Sequence, residues 1–403
     1  MSDKKRVMLI MPHMVGGGAE RVASLLMNSY AEKGCETEIV LTSDKKEDVV
    51  RCDLKDDTVL TLLPETMSPE SAGEKRTYGI FLKAYAQITC NLFELFRLPV
   101  PADMAKASLY VQYHREIRWV REKLRREPDT AVIAFLQPAI PIVMLAARGL
   151  PNRVVFSERC DADRLMKKRY GRKFIEKYYR RADGAVFQSV YARDAYPAAV
   201  AGKGVVIFNP LKPGLPPPYK GERDKRVVTF CRISKQKNLP LLIAAFESFY
   251  RKHPEYTLEI IGDSPNEEGR QVEAEIGKQI AAAGLQDAVR LLPFCSDVHG
   301  KILSAAMYVN SSDFEGMSNA MLEAMAIGLP CVCTDCPAGG ARTAIKNEEN
   351  GLLVPMNDPD ALFAAMNRLA EDPAFSLKLS QNAAEFREEL MLDKISEKWM
   401  KLL

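Results

Sequence analysis

Short apolar runs alternate with amphipathic stretches along this chain, and this alternation restricts the possible folds more than any other feature. The runs in the first half are RVMLIM, ETEIVLT, TAVIAFL, RVVFSE and GAVFQS; those in the second half are RVVTFC, YTLEIIG, AVRLLPF, MYVNSS and PCVCTD. Strands that alternate with helices form parallel sheets with helices on both faces. The pattern therefore predicts a doubly wound α/β architecture in both halves.

The two halves also resemble each other. The segments that begin at Asp3 and at Arg223 both run from basic residues through a strand and a short loop to an amphipathic helix ending in Tyr. Between the halves, FNPLKPGLPPPYKGER contains five prolines, which make an extended connection rather than a sheet interior. We expect a first domain over residues 1–207, a second over 208–384, and a helix over 385–403 that packs back toward the first domain.

Composition excludes several classes of protein. The chain has 403 residues, too many for one ordinary core, and its 47% hydrophobic content excludes global disorder. A formal net charge of +3 gives no reason to expect nucleic acid as a partner. Nine cysteines without a recognisable signal peptide indicate reduced thiols and a cytoplasmic location. Because Gln137 and two prolines interrupt the longest apolar tract, we expect no membrane span.

Two loops that follow strands have the composition of phosphate-binding sites. Gly16, Gly17 and Gly18 precede a helix, so that backbone amides there can approach an anion closely; a glycine turn without a ligand gives the same pattern. Neither the dinucleotide fingerprint nor a Walker lysine is present. In the second half, Arg232 and Lys237 flank the loop CRISKQKN, where two cations can clamp a diphosphate or can be ordinary surface charges.

The stretch DFEGMSNAMLEAMAIGLPCVCTD contains two glutamates in different settings. Ser318 is a good N-cap for a helix from about Asn319 to Ile327, and Gly328 is a good stop signal. Glu315 precedes this helix, beside three backbone amides that have no helical partner, those of Gly316, Met317 and Ser318.

Glu323 lies inside the same helix among Ala, Met, Leu and Ile, too far from its start for a capping box. A carboxylate in such surroundings needs donors that compensate for its lost hydration. One explanation is a backbone or arginine partner within the fold. The explanation that we favour is a ligand diol, because a carboxylate accepts two hydrogen bonds from the hydroxyls of a ribose or hexose.

Together these motifs resemble the retaining, nucleotide-sugar-dependent glycosyltransferases of family four. The similarity rests on residues 313–335 and on CRISKQKNLPLLIAAF, IIGDSP and IFNP, with further matches at GGAERVASLL and AVIAFLQPAIPIVMLAARGLPNRVVFSER. It covers most of the chain. It implies the GT-B fold, in which two Rossmann-like lobes face a cleft, a UDP-sugar as donor, and no metal or other cofactor.

The resemblance also implies a role for each motif. Catalysis would involve Glu315, Arg232 and Lys237: the glutamate would hold hydroxyls of the donor sugar and the two cations the diphosphate. Glu323 would bind the ribose. The remaining donor contacts would come from the glycine loop (Gly16, Gly17, Gly18), the helix-end amides (Gly316, Met317, Ser318) and, for the nucleobase, Asp263 and Phe294. The acceptor hydroxyl would attack on the leaving-group face, so that the anomeric configuration is retained.

The first half departs from the family pattern at one position. Many relatives have a histidine near the donor sugar where this chain has FSERCDAD. Glu158 and Arg159 there either face the acceptor or donor or only support the cleft, and His13 and His114 are weaker substitutes for the histidine.

Two apparent metal motifs have simpler explanations. The sequence Asp161-Ala162-Asp163 resembles a metal-binding Asp-x-Asp but adjoins a basic segment instead of the cations of the second half. Cys331, Cys333 and Cys336 have no fourth ligand nearby in the sequence. We therefore expect no metal site.

Two segments are candidates for acceptor or membrane contact. Residues 163–183 are rich in Lys, Arg and aromatic residues, and a helix there would place Phe174 and Tyr178 opposite Lys173 and Lys177. Such a helix can lie on an anionic bilayer, bind the diphosphate of a polyprenyl-linked acceptor, or simply expose a solvated basic face. Residues 78–104 are unusually apolar and either enter the core or form a membrane-docking patch.

These observations favour a cytoplasmic hexosyltransferase, peripheral on the inner face of the cell membrane, that builds surface polysaccharide or glycolipid. Two alternatives remain from the sequence. An NAD-dependent oxidoreductase or epimerase on a similar fold would need the dinucleotide fingerprint that GGGAER lacks. A non-catalytic subunit that binds a sugar nucleotide or lipid would share the same motifs.

Overall fold

The computed structural model describes residues 4–43, 53–64, 102–159, 165, 171–264 and 266–403. The chain divides into two compact units, of which the first comprises residues Met1–Pro210 and Leu392–Leu403 and the second Leu211–Met391. The second unit thus extends through a 3₁₀ helix, Phe386–Leu390, and the last helix of the chain belongs to the first unit.

The first unit is built on a parallel seven-stranded sheet in the order β3-β2-β1-β4-β5-β6-β7. Its strands are β1 (Arg6–Met11), β2 (Glu36–Leu41), β3 (Thr58–Leu62), β4 (Ala131–Phe135), β5 (Val154–Glu158), β6 (Gly184–Phe187) and β7 (Gly204–Val206). Its described helices are α1 (Gly18–Glu32), α2 (Ala102–Arg126), α3 (Ala139–Ala146), α4 (Gly171–Tyr178), α5 (Val190–Asp194), α6 (Ala198–Ala201) and the last helix, α14 (Leu392–Met400).

Helices cover both faces of this sheet, as the uninterrupted apolar runs of the strands require. Every residue of β4, β5 and β6 is buried, which is the usual state of inner strands in a parallel sheet. One face packs against α2, α3 and α4. The other face packs against α1 and α14, and Trp399 of α14 is fully buried there.

The second unit is built on a parallel six-stranded sheet in the order β10-β9-β8-β11-β12-β13. Its strands are β8 (Arg226–Phe230), β9 (Thr257–Ile261), β10 (Val289–Leu292), β11 (Met307–Asn310), β12 (Cys331–Thr334) and β13 (Leu352–Val354). Its helices are α7 (Leu239–Lys252), α8 (Glu267–Ala282), α9 (Val298–Ile302), α10 (Asn319–Ala326), α11 (Gly340–Ala344), α12 (Pro359–Glu371) and α13 (Pro373–Glu385).

Arg223 anchors the proline-rich segment to the second unit. Its guanidinium donates to the carbonyl oxygens of Ala305, at 2.9 Å, and Gly328, and to the hydroxyl of Ser380 at 3.1 Å. Burial lowers the pKa of Arg223, and the surrounding oxygens satisfy its donors. The extended chain before β8 is therefore held against the sheet by hydrogen bonds to the backbone.

The ten strands predicted from apolar runs are all present, and the doubly wound architecture is confirmed. Three strands were not predicted: β3, β7 and β13. Among the described residues, no helix combines the length and the apolar character that crossing a bilayer requires.

Candidate functional site

The order of strands in the second unit marks a place for a ligand. From β8 the chain proceeds through β9 to β10 on one side, and then returns to β11 on the other side of β8. Loops that leave the carboxyl ends of β8 and β11 therefore diverge, and open α/β sheets bind ligands in the crevice at such a switch point. The loop after β8 carries Arg232 and Lys237, and the loop after β11 carries Glu315.

Lys237 and Glu315 meet at this switch point. The ammonium group of Lys237 lies 2.8 Å from Oε1 of Glu315, and each side chain is 14% exposed. The amide of Gln236 donates to the other carboxylate oxygen of Glu315 at 2.7 Å and to the carbonyl oxygen of Phe314 at 2.8 Å. Both oxygens of the carboxylate are thus held by the loop that follows β8.

The backbone of the two loops is tied together as well. Ser311 donates from its hydroxyl to the carbonyl oxygen of Lys237 at 2.9 Å, and the amide of Asp313 donates to the carbonyl oxygen of Gln236 at 2.9 Å. Asn238, which has a left-handed φ of 43°, donates to the carboxylate of Asp313 at 2.6 Å and caps helix α7. These bonds fix the cation and the carboxylate at the edge of the sheet.

Two opposing effects act on the charge of Lys237. Burial lowers the pKa of its ammonium group, while the nearby Glu315 raises it, and the net effect is a pKa above the usual value of 10.5. Lys237 is therefore a fixed positive charge at neutral pH.

Arg232 and Lys237 share the loop but not the environment. The side chain of Arg232 is exposed, and no hydrogen bond or ion pair joins it to the described residues. Its position directly after β8 places it at the same edge of the sheet as Lys237. The role of Arg232 in diphosphate binding stays a prediction.

Helix α10 begins and ends close to where the sequence predicts. Ser318 is the N-cap and accepts a hydrogen bond from the amide of Met321 at 3.3 Å. Ile327 is the C-cap, and Gly328 follows with a left-handed φ of 77°. Glu315, Gly316 and Met317 lie in the loop before the N-cap, as expected, so that the amino end of α10 is next to the pair of Lys237 and Glu315.

Glu323 has a protein partner that the sequence analysis did not consider. Nε2 of His299 lies 2.8 Å from Oε2 of Glu323, and both residues are buried. This partner is a histidine. His299 also lies beside a cavity of about 110 Å³ whose lining includes Lys212 and Asp297.

Asp263 and Phe294 follow the neighbouring strands β9 and β10, and a hydrogen bond connects them. The amide of Phe294 donates to the carboxylate of Asp263 at 3.1 Å, and the ring of Phe294 is 64% exposed. An exposed aromatic ring fixed through its backbone can stack on a planar ligand. Its role toward a nucleobase remains a prediction.

The loop after β11 lies directly against the amino end of α11. A side chain at Gly340 would overlap the carbonyl oxygen of Gly316 and approach the backbone of Met317. Only glycine fits there, so the backbone beside Glu315 depends on a residue that is distant in sequence.

The glycine loop of the first unit leaves β1 at the switch point of the other sheet, where β1 and β4 are neighbours. Gly16 has a left-handed φ of 91°, Gly17 is the N-cap of α1, and Gly18 is its first residue, one position before the predicted start. Glu20 lies buried in the first turn, with Oε1 3.5 Å from Nδ1 of His13.

Glu158, at the end of β5, is buried, and its carboxylate accepts several hydrogen bonds. Its carboxylate accepts from Gln137 at 2.9 Å, from the hydroxyl of Tyr196 at 3.0 Å and from the amide of Arg159 at 2.9 Å. Arg159 donates to Asn209 at 2.6 Å, and burial lowers the pKa of its guanidinium. These contacts fit a supporting role; a role toward an acceptor remains a prediction.

The basic segment after β5 is described from Gly171 onward. In α4, Phe174, Ile175 and Tyr178 are buried in the core, whereas Lys173 is exposed, so the predicted division of faces is confirmed. Lys177 forms an ion pair of 2.8 Å with Asp103 of α2. The apolar face of α4 therefore stabilises the first unit, and Lys173 remains at the surface.

Several expectations concern residues outside the described part of the chain: the pair Asp161 and Asp163, residues 78–101 of the apolar segment, and residues 163–164 and 166–170 of the basic segment. Among the described residues, no cluster of three or more His, Cys, Asp or Glu side chains is arranged to hold a metal. Cys331, Cys333 and Cys336 are buried free thiols, and burial raises the pKa of Cys336 to about 12.

Comparison with known proteins gives a family match within the second unit. Residues 215–386 match the family described as glycosyl transferases group 1, and this stretch contains Arg232, Lys237, Glu315 and Glu323. An uncharacterized glycosyltransferase of Haemophilus influenzae is 26% identical over 180 residues, 45% of this chain and 49% of that protein.

A second curated relative has a named activity. The N-acetylgalactosamine-N,N'-diacetylbacillosaminyl-diphospho-undecaprenol 4-alpha-N-acetylgalactosaminyltransferase of Campylobacter jejuni is 29% identical over 165 residues, 41% of this chain and 42% of that protein. The chain thus spans less than half the length of both curated relatives.

Similarity to solved structures extends over both units. Anabaena HepE in complex with UDP matches with a TM-score of 0.74 and 17% identity over 98% of each chain. The same protein in complex with UDP-glucose matches with a TM-score of 0.70. At this level of identity the similarity concerns the fold, and the predicted GT-B fold is confirmed.

Proposed function

We propose that the chain transfers a sugar from a UDP-sugar to a hydroxyl of a glycan or lipid-linked acceptor, with retention of the anomeric configuration, because residues 215–386 match the group 1 glycosyl transferases. The partly buried pair of Lys237 and Glu315 at the switch point between β8 and β11 is the observation that carries this proposal. A fixed cation and a fixed carboxylate suit a ligand with an anionic leaving group and hydroxyls.

The donor is proposed to bind along the carboxyl edge of the second sheet. Lys237 and Arg232 contact the diphosphate, and Glu315 accepts hydrogen bonds from hydroxyls of the donor sugar. Glu323 contacts the ribose, and the uracil lies near Asp263 and Phe294. UDP is the nucleotide that we favour because Anabaena HepE, which shares the fold, binds UDP and UDP-glucose.

The proposed chemistry depends on charge stabilisation at the leaving group. As the bond from the anomeric carbon to the diphosphate breaks, negative charge grows on the phosphate oxygens. The ammonium of Lys237 and the guanidinium of Arg232 stabilise this charge, and Lys237 needs no reorganisation because Glu315 already holds it at the site. The acceptor hydroxyl attacks on the same face and passes its proton to a phosphate oxygen of the leaving group.

The acceptor is proposed to be a polyprenyl-diphosphate-linked glycan at the cytoplasmic face of a membrane. This follows from the C. jejuni relative, whose name specifies a diphospho-undecaprenol acceptor. The exposed Lys173 on α4 agrees with an anionic partner near the first unit. Glu158 and Arg159 are proposed to support the region where this acceptor binds.

The proposal is tested by measuring UDP release from a panel of UDP-sugars, with polyprenyl-diphosphate-linked sugars as acceptors. We expect one donor to give acceptor-dependent release and a radiolabelled lipid product. Binding of UDP without turnover of any donor would instead indicate a binding subunit. Reduction of a nicotinamide cofactor would indicate the oxidoreductase alternative.

Replacement of Lys237 tests the site itself. We expect Lys237→Met to lower kcat by about 10²–10³-fold, the usual effect of removing one preorganised group that stabilises transition-state charge. Lys235→Met is the matched control, because Lys235 is exposed and lies two positions away in the same short 3₁₀ helix, Lys235–Lys237. Equal activities of the two variants would contradict the assignment of Lys237.

A further inference from the structure

His299 and Glu323 form a pair that is buried in the second unit. Nε2 of His299 lies 2.8 Å from Oε2 of Glu323, and the two side chains are 10% and 3% exposed. Because a carboxylate only accepts hydrogen bonds, the histidine ring donates from Nε2. The bond therefore fixes the position of one oxygen of Glu323 and with it the plane of the carboxyl group.

The ring of His299 is itself held in place. Asp297 caps the short helix α9 and accepts from the amide of Gly300 at 3.1 Å, and a side chain at Gly300 would collide with the Asp297 carboxylate. Val298 and Ile302 anchor the helix in the core. The ring also meets the edge of Phe230, with centroids 5.6 Å apart and planes at 85°.

This location connects the pair to the proposed donor site. Phe230 is the last residue of β8, and Arg232 and Lys237 lie in the loop that follows it. Glu323 lies on α10, whose amino end follows the loop of Glu315. His299 and Glu323 thus lie behind the carboxyl end of β8, at the edge of the sheet that carries the diphosphate and sugar contacts proposed above.

A purely structural role explains the pair poorly. Both side chains lose hydration, and well-packed apolar residues of similar size often stabilise a core as much as a buried polar pair does. A hydrogen bond that sets the orientation of a carboxylate is useful where that carboxylate must meet a ligand in one geometry.

We propose that His299 is a positioning residue for recognition of the ribose: it holds the carboxylate of Glu323 in the orientation that accepts hydrogen bonds from the 2′- and 3′-hydroxyls of the nucleotide. This inference rests on the proposed function, in which Glu323 contacts the ribose. His299 itself does not touch the nucleotide.

The test compares the affinities of the full chain for UDP and for 2′,3′-dideoxy-UDP by calorimetry. His299→Gln keeps an amide N–H near the place of the ring Nε2, whereas the shorter side chain of His299→Asn does not reach it. We expect His299→Asn to lower the ratio of the affinities for UDP and 2′,3′-dideoxy-UDP by on the order of tenfold, which is the effect of losing one hydrogen bond to a charged group. Glu323→Gln should lower this ratio to a similar extent. His299→Gln should retain most of the preference.

His253 provides the matched control. It is a partly buried histidine of the second unit whose Nε2 likewise meets a side-chain oxygen, Oδ1 of Asn367, at 2.9 Å. His253→Asn should therefore destabilise the second unit about as much as His299→Asn does. It should leave the ratio of the affinities for UDP and 2′,3′-dideoxy-UDP unchanged. Should His299→Asn not fold, His299→Met, which fills the same space without a donor, replaces it.

Each outcome has a defined meaning. If His299→Asn weakens binding of UDP and 2′,3′-dideoxy-UDP by the same factor, or if it leaves the preference intact, the positioning role is overturned while UDP binding stands. If the unaltered chain does not bind UDP, the proposed function fails and the inference fails with it.

Discussion

Lys237 shows how a neighbouring carboxylate affects the protonation of a partly buried charge. Its burial opposes the ammonium form, yet the carboxylate of Glu315 at 2.8 Å outweighs burial and raises the pKa. Without Glu315, the same burial would favour loss of the proton. The pair therefore keeps a cation available at the site whether or not a ligand is bound.

The raised pKa of Lys237 predicts a particular dependence of stability on pH. A raised pKa contributes stability that is fully present below the unfolded value of 10.5 and is lost as pH rises through the folded value. We expect the difference in free energy of unfolding between the unaltered chain and Lys237→Met to stay constant from about pH 7 to 9 and to fall above about pH 10.5.

Urea denaturation at several pH values measures this difference. Glu315→Gln serves as the comparison, since it removes the group that raises the pKa. If the difference in free energy of unfolding between the unaltered chain and Lys237→Met declines from about pH 8, burial lowers the pKa of Lys237 more than Glu315 raises it.

The residues predicted from sequence are those whose signal is local. Ser318 caps α10, and Glu315 lies in the preceding loop, because capping and loop position depend on a few neighbouring residues. The partner of Glu323 was missed because His299 is 24 positions away in the chain. The apolar surroundings of Glu323 indicated that a partner was needed, but they contained no information about which residue would supply it.

At the scale of elements, the site depends on close contact between two loops. The loop after β11 and the amino end of α11 approach each other so closely that Gly340 has no room for a side chain beside Gly316. The position of Glu315 is thus set partly by the segment after β12.

Substitution of Gly340 tests this contact. We expect Gly340→Ala to destabilise the second unit by about 1–3 kcal/mol through overpacking, and to weaken UDP binding because the loop beside Glu315 must move. Thermal unfolding and calorimetry with UDP measure the two effects.

Gly277 is the control for this experiment, because it lies within helix α8 and a side chain there meets no atom within 4 Å. Gly277→Ala should stabilise the chain by about 0.5–1 kcal/mol, owing to the better helix propensity of alanine. Unchanged UDP binding in Gly340→Ala would show that the loop tolerates displacement.

The strands that the sequence analysis missed share a position in the fold. β3, β7 and β13 each lie at an edge of a sheet, and the first two have few buried residues. A strand with one neighbour needs fewer apolar residues than an inner strand, so the apolar run that marks it in the sequence is shorter and harder to recognise. Inner strands such as β1 and β4 are buried on both faces, and their apolar runs coincide closely with the observed bounds.

At the scale of the whole molecule, the first unit is assembled from both ends of the chain. Trp399 of α14 is fully buried in the core cluster that includes residues of β1, β2 and α1, and its ring centroid lies 6.5 Å from that of Phe135 on β4. The hydroxyl of Ser29 on α1 donates to that of Ser396 on α14 at 2.9 Å. Helix α14 therefore completes one face of the first sheet.

Removal of the Trp399 side chain should destabilise the first unit specifically. We expect Trp399→Ala to cost about 3–5 kcal/mol, the usual loss for an aromatic residue in a core. Fluorescence of Trp119, the other tryptophan of the chain, reports unfolding of the first unit in this variant. Lys398→Ala, at the exposed neighbouring position, should change stability by less than about 0.5 kcal/mol. If Trp399→Ala and Lys398→Ala are equally stable, α14 does not stabilise the first unit through Trp399.

The place of α14 in the first unit reverses the usual order of folding on the ribosome. Domains generally fold as they are synthesised, beginning with the one nearest the amino terminus. Here residues 392–403 are translated after the whole of 211–391, so the second unit can close while the first still lacks Trp399. During translation, the apolar surface of α1 and β1 stays exposed until α14 has been synthesised. Chaperones that bind nascent chains should recognise this surface in that interval.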